Sequence, residues 1–214
     1  MAFYPPDCNC SLCSRLVQFR AQNKIKFPTY YNGPVEPFGS LNAQILIVGM
    51  APGLNGANQT NRPFTNDYAG DVLYPALKKF GFATGCYQKK KNDGFTLINV
   101  RVTNAVRCVP PQNKVCTDEA KNCGQFLAEE IKSMPDLKII LSLGVVSHNA
   151  VLRVLGIKQS ACKFAHGKIH QLNNGLTLVD SYHTSRYNIN TGVLTYQMFD
   201  DIVLKIKNLS EQKC

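Results

Sequence analysis

Residues 45–74 read ILIVGMAPGLNGANQTNRPFTNDYAGDVLY. A short run of β-branched residues and Leu stops at Gly49, a long loop rich in Gly, Asn and Pro follows, and a helical pattern closes the stretch. Residues 45–48 are apolar at every position rather than at alternate ones, which marks a strand covered on both faces, as in a parallel sheet. The loop therefore leaves the carboxyl end of a central strand, where open α/β sheets place their ligands. Beyond it Val72, Leu73, Leu77 and Phe80 recur at helical spacing and Gly81 supplies a stop signal.

Working outward, residues 1–40 are irregular apart from a short helix at about Ser14 to Asn23, because Pro28, Pro34 and Pro37 keep the chain extended or turning. They read as a wrapping arm. The lysine run Lys89, Lys90, Lys91 with Asn92, Asp93 and Gly94 predicts a solvated surface hairpin or insertion, and Phe95 to Val102 a second strand. Acidic Asp118 and Glu119, followed by Ala120, Cys123, Leu127 and Ile131, predict an amphipathic helix over Thr117 to Ser133. A third strand is expected at Leu137 to Leu143, a helix at Val145 to Leu155 closed by Gly156, and two short strands around the turn Asn173-Asn174-Gly175. A last helix carries Met198, Ile202, Ile206 and Leu209. Strands alternating with helices indicate a three-layer α/β/α sandwich around a mostly parallel sheet. With 214 residues and no Pro-rich or Ser/Gly-rich linker, residues 1–214 read as one domain.

The charge balance, 24 Lys+Arg against 14 Asp+Glu for a formal +10, favours a polyanionic partner, with nucleic acid the leading one. No segment approaches the roughly 20 apolar residues of a membrane span, and the beginning MAFYPPDCNC lacks the basic and apolar regions of a signal peptide. The expected location is the cytoplasm, and the expected state a monomer.

Nine cysteines fit a reducing compartment poorly as disulfides, so metal ligation is the better account of some of them. Cys10 and Cys13 form a C-x-x-C, and Cys108 and Cys123 stand in a Pro-rich turn and an early helical turn. Four thiolates can hold zinc or a [4Fe–4S] cluster, and spacing does not choose between them. Cys8 and Cys116 compete as ligands, whereas Cys86, Cys162 and Cys214 read as ordinary thiols. A metal centre here would tie the arm to the turn and the helix.

Three motifs occur together: GMAPGLNGANQTNRPFTNDYAG from Gly49, TNAVRCVPPQNK from Thr103 and SYHTSRYNINTG from Ser181. Together they resemble the uracil-DNA glycosylase superfamily, and most closely its family 5, the type b enzymes. That family has Ala in its first motif where others carry a catalytic Asp, Asn or Glu, and Ala51 stands there. The cysteine pattern, with Arg15-Leu16-Val17 after the C-x-x-C, is similar to the family's [4Fe–4S] site, which makes Cys10, Cys13, Cys108 and Cys123 the implied ligands. The departures are Met50 for a usual Leu, Asn61 and Asn66 for usual glycines, and Thr184 where Pro or a small residue is common. Asparagine tolerates the positive-φ backbone that glycine would supply.

The resemblance implies a monofunctional glycosylase that flips uracil, and other deaminated bases such as hypoxanthine and xanthine, out of DNA and hydrolyses the N-glycosidic bond. Asp67 matches the acidic position that stabilises an oxocarbenium-like sugar and handles water; capping the following helix is its plainer reading, and Asp71 is a rival. His183 matches the histidine that donates to uracil O2 as charge develops, while His148, His166 and His170 read as structural. Asn113 matches a functionally important amide, with Asn104 as a strand-end competitor. Phe64 matches the aromatic that stacks on the flipped base. Gly49, Met50 and Gly53 bring backbone close to the base, Ala51 leaves room for it, and Gly56, Asn58, Ser185 and Arg186 are phosphate or groove contacts, although Arg186 reads equally as a solvated charge. The opposing interpretation is a catalytically silent iron–sulfur module that binds nucleic acid or senses redox state, for which the retention of Asp67, Asn113 and His183 together has no use. A nucleotide-binding loop is the weakest alternative, since neither G-x-x-x-x-G-K-[ST] nor G-x-G-x-x-G is present.

Overall fold

Strand β1, Ile45–Gly49, is buried at every position, as its unbroken apolar run requires. It lies between two parallel neighbours, β4 (Val100–Asn104) and β5 (Ile139–Leu143). Beyond β5 the sheet continues with parallel β7 (Thr177–Ser181) and ends with antiparallel β6 (Ile169–Gln171). The order β4-β1-β5-β7-β6 makes a mostly parallel sheet. These positions come from a computed structural model that describes residues 3–211, so Cys214 lies outside the described residues.

Alternate residues of each strand feed opposite faces. Ile45, Ile47, Val100, Val102, Ile139, Leu141 and Val179 pack under Leu73 and Leu77 of α3 (Tyr68–Lys79) and Phe199, Ile202 and Ile206 of α7 (Tyr196–Glu211). Leu46, Val48, Ile140 and Leu178 face Leu127 and Ile131 of α4 (Thr117–Lys132) and Val151 and Leu152 of α5 (Val145–Val154). Two apolar layers on a double-sided sheet give the α/β/α sandwich that the element pattern predicts. The arm contributes α1 (Ser14–Lys26), whose Leu16 packs on Val106, Ala120 and Cys123.

Three local expectations change. The strand expected over Phe95 to Val102 is split: β3 (Thr96–Leu97) pairs with β2 (Ala83–Thr84) in a separate antiparallel ribbon. Asn99, with φ of 56°, turns the chain before β4 begins. The loop after β1 contains one helical turn, α2 (Ala57–Thr60), and α1 runs three residues beyond Asn23 to Lys26.

The chain leaves β1 toward β4 on one side and leaves β5 toward β7 on the other. A crevice therefore opens between the carboxyl ends of β1 and β5, the place where such sheets bind ligands.

Candidate active site

An open cleft of about 680 Å³ occupies that crevice, within the size range of small-molecule sites. Its walls come from the loop after β1 (Met50, Ala51, Gly53, Gly56, Asp67), from Asn113, from the junction of β5 and α5 (Leu143 to Val146), and from His183, Ser185 and Arg186 after β7. The structure thus gathers most of the residues singled out by the sequence from four separate segments.

Asp67 takes the capping place foreseen for it and also stands in the cleft wall. It is the N-cap of α3, with Oδ1 accepting from the Ala69 amide at 3.4 Å, and it also lines the cleft. Two glycines make room for its carboxylate: a Cβ on Gly53 would stand 2.6 Å from Asp67 Oδ2, and one on Gly56 2.8 Å from Asp67 Cβ. Gly56 therefore seats Asp67. Asp71 points elsewhere, as a helical register requires, and meets Lys89 Nζ at 2.8 Å.

His183 is set by anchors on either side. Asn188 Nδ2 donates to its carbonyl at 2.8 Å, and Thr184 Oγ1 donates to the Ala69 carbonyl of α3 at 3.2 Å. Burial lowers the imidazole pKa from its ordinary value, with the Asp67 charge pulling the other way. The ring is consequently neutral at neutral pH, able to donate from one nitrogen without carrying a full charge. Asn113 ends a single helical turn, Pro111–Asn113, in which Gln112 and Asn113 both have φ of 56°.

Ser185 caps α6 (Arg186–Asn190), its Oγ accepting from the Asn188 amide at 3.3 Å. The Arg186 guanidinium lies 5.1 Å over the Tyr68 ring, which holds an exposed charge at the cleft mouth.

Phe64 and Gly49 do not line the open cleft, but the Phe64 ring lies alongside His183, with centroids 6.1 Å apart. A Cβ on Gly49 would come within 2.6 Å of Phe64 Cζ and 2.5 Å of Asn104 Oδ1. Asn104 is the register partner of Gly49 at the sheet edge, so its amide sits against the same buried end as Phe64. The sequence reading of Asn104 as a mere strand end misses this, because inter-strand register has no local signal. Asn58 is a correction in the other direction. It is fully buried and donates to Asn32 Oδ1 at 2.9 Å, so it joins the loop to the arm and has no face for a phosphate. By contrast Asn61 and Asn66 stand in the left-handed region with φ of 54° and 59°, as expected of asparagines in place of glycines.

Cys10, Cys13, Cys108 and Cys123 line one small apolar cavity between the arm and α4, while exposed Cys8 and Cys116 lie outside it. Cys116 instead caps α4. Two guanidinium groups border the cavity: Arg20 reaches Cys108 Sγ at 3.5 Å and the Cys10 carbonyl at 2.9 Å, and fully buried Arg107 bonds Glu130. Arg107 Nε and Nη1 have no partner among the described residues, a costly state for a buried donor. The Arg107 amide and Asn122 Nδ2 also point at sulfur, on Cys123 at 3.3 Å and Cys13 at 3.8 Å. Burial pushes the Cys108 thiol up to about 11 and that of Cys123 up to about 12, against the lowering pull of Arg20 and Arg107 respectively.

A mononuclear zinc site with bonds near 2.3 Å needs sulfurs about 3.8 Å apart. Among the described residues the ligand atoms that converge within 4.8 Å in a set of three are those of His148, His170 and Asp180, none of them a cysteine. The four thiols share one cavity without three of their sulfurs meeting within that distance.

A carboxylate, a neutral imidazole and the Asn113 amide lining one cleft at the switch point of a mostly parallel α/β sheet are groups that hydrolytic chemistry uses. Residues 36–207 match the family description "Uracil DNA glycosylase superfamily". The type-5 uracil-DNA glycosylase of Thermus thermophilus is 37% identical over 214 residues, covering 98% of this chain and 97% of that protein. That of Pyrobaculum aerophilum is 35% identical, covering 91% and 86%, and that of Mycobacterium tuberculosis 34%, covering 94% and 78%. The chain belongs to the uracil-DNA glycosylase superfamily. Among the described residues no helix is long and apolar enough to cross a membrane.

Proposed function

We propose that the chain is a monofunctional uracil-DNA glycosylase, in which water attacks the sugar and an abasic site is left. The convergence of Asp67, Asn113 and His183 on one cleft carries this reading. Uracil rotates out of the duplex, a step that favours poorly paired, deaminated bases. The C1′–N1 bond then breaks with its electron pair leaving on the base. The Asp67 carboxylate stabilises the positive sugar and takes a proton from the water that bonds to C1′. Neutral His183 donates to the O2 of the departing uracil, where a pre-aimed donor acts most strongly in the transition state.

Phe64 supplies a stacking face, and backbone at Met50 and Gly53 approaches the base. The Asn104 amide offers a donor and an acceptor side by side, the complement of uracil's edge. Asn113 orients water, and Ser185 and Arg186 meet the backbone phosphates, which the +10 charge also attracts. Ala51 presents only a methyl group to the cleft, which supports acceptance of larger deaminated bases such as hypoxanthine and xanthine.

Cys10, Cys13, Cys108 and Cys123 would hold a [4Fe–4S] cluster. The donor set suits it: four sulfurs line one cavity, which two guanidinium groups border and toward whose sulfurs two further N–H donors point. An anionic cluster would give Arg107 the partner that it lacks among the described residues. Such a centre supplies no step of the hydrolysis; it anchors the arm.

Release of base from labelled oligonucleotides containing uracil, hypoxanthine or xanthine tests the function. Asp67→Asn is expected to slow release by about 10³-fold and His183→Ala by about 10²-fold. Wild-type rates in both variants would remove these residues from the chemistry. Binding without release by the intact wild-type protein would replace the enzyme with a binding module.

A further inference from the structure

The loop between β2 and β3, which reads from sequence as a solvated insertion, is clamped to the loop after β1. Asp93 accepts both Nη1 and Nη2 of Arg62 at 2.8 Å, with neither side chain appreciably exposed. The remaining lone pairs of Asp93 take the Gln88 amide at 2.9 Å and the Phe95 amide at 3.1 Å. Arg62 in turn bonds Thr65 Oγ1 at 2.7 Å and the Lys91 carbonyl at 3.1 Å, and its cation lies among the rings of Phe38, Tyr74 and Tyr87. One buried, bidentate ion pair thus joins the first motif to a loop some thirty residues away.

What this clamp delivers is the Tyr87 hydroxyl. Tyr87 Oη donates to the Phe64 carbonyl at 3.1 Å and accepts from the Asn66 amide at 3.2 Å. Phe64 and Asn66 are both left-handed, with φ of 54° and 59°, an unfavourable state that is unusual for a bulky aromatic. Gly70 completes the seat: a Cβ there would stand 1.6 Å from the Phe64 carbonyl oxygen and 2.8 Å from Tyr87 Oη. Nothing larger than glycine at that turn of α3 admits this arrangement. The hydroxyl therefore ties down the peptide groups that set the Phe64 ring and immediately precede Asp67.

We propose that Tyr87 is a positioning residue for base excision, holding Phe64 and Asn66 in their strained geometry immediately ahead of Asp67, with the Arg62–Asp93 pair as the anchor of the loop that carries it. This rests on the roles proposed above for Phe64 and Asp67. The ring of Tyr87 packs on Tyr74 and Phe95 at centroid distances of 4.8 Å and 5.9 Å, so Tyr87→Phe keeps the packing and removes only the two hydrogen bonds.

Steady-state uracil release from a duplex oligonucleotide, with thermal melting alongside, tests the assignment. Tyr87→Phe is expected to lower kcat about tenfold or more while KM stays within about twofold and melting changes little, the signature of lost transition-state geometry rather than lost binding. Asp93→Asn, which loosens the anchor but leaves Tyr87 in place, is expected to shift kcat in the same sense, and it decides the matter if Tyr87→Phe does not fold. A wild-type kcat in both variants, or a rise in KM and a fall in melting that match the fall in kcat, would overturn the proposal. Asp67→Asn measured in parallel separates the two failures: if it is inactive while Tyr87→Phe is unimpaired, only the positioning role falls; if it too is unimpaired, the active-site assignment itself is wrong.

Discussion

A partly buried cluster around the cysteine cavity and a fully buried one around Asp180 differ in one respect. Around the cysteine cavity, charge is left over: Arg107 has two donors without partners among the described residues, and burial raises the pKa of the Cys108 and Cys123 thiols nearby. In the cluster of His148, His170 and Asp180, nothing is left over. The Asp180 carboxylate takes Ser142 Oγ at 2.8 Å, His148 Nδ1 at 2.7 Å, His170 Nε2 at 3.0 Å and the Ala165 amide at 3.3 Å. His148 Nε2 meets the Cys162 carbonyl at 2.8 Å. A saturated network is complete as it stands, whereas one with orphaned cationic donors offers a place to an anionic partner. The spacing that admits a metal among His148, His170 and Asp180 is thus already spoken for by protons.

Breaking the cysteine side should have the larger effect. Cys108→Ser combined with Cys123→Ser is expected to abolish the visible absorbance of the purified protein and to destabilise it by on the order of 5 kcal/mol or more, since ligation energy is folding energy for segments with little core of their own. Limited proteolysis should then cut within α1, where Leu16 is one of few buried apolar anchors. Unchanged absorbance and melting would show that the cavity is an ordinary thiol-lined void. On the saturated side, Asp180→Asn leaves His148 with no counter-charge and is expected to cost about 3–5 kcal/mol, read as a drop in melting temperature of roughly 10 °C. A loss within the error of the melting curve would mean that the carboxylate bears no charge-pairing role.

The two clusters were unequally legible in the sequence. A C-x-x-C with two further cysteines is a local pattern, and it names the same four residues that line the cavity; Cys8 and Cys116 are excluded only by where their backbone leads. The histidine cluster depends on Ser142 facing Asp180 across β5 and β7, a register that no local spacing reveals. The same division runs through the active site. The strand-loop-helix of residues 45–74 is readable because burial on both faces and helical periodicity are local, and Asp67 and His183 follow from their motifs. Asn104, opposite Gly49, and Tyr87, held by an Arg62–Asp93 pair, owe their places to long-range pairing. Asn58 fails for the converse reason: a polar residue in a polar loop reads as exposed until Asn32 is found beside it.

The smallest effect, in pH dependence, is the most diagnostic of the saturated cluster. Burial alone would lower the pKa of His148, but its bonds to Asp180 and the Cys162 carbonyl outweigh that and raise it above the ordinary value of 6.5. Both nitrogens of the ring face acceptors, so the geometry asks for the imidazolium. Burial likewise opposes the charge on Asp180, yet the donors from His148, His170 and Ser142 lower its pKa below 3.8. By linkage, the His148 contribution is complete below its unfolded value near 6.5 and is lost as pH rises through the raised folded value. The Asp180 contribution is complete above its unfolded value and is lost as pH falls through the depressed one. His183, neutral by burial, acts oppositely to His148: its lowered pKa costs stability as pH falls from about 6.5 toward the folded value. Melting temperature followed from pH 5 to pH 9, on a scale of about 1 kcal/mol, should therefore decline on the alkaline side in the wild type and lose that decline in His148→Gln. In His183→Gln the alkaline decline should persist while the acid-side decline weakens. An alkaline decline of the same size in His148→Gln would place the charge elsewhere and reduce the cluster to neutral hydrogen bonds.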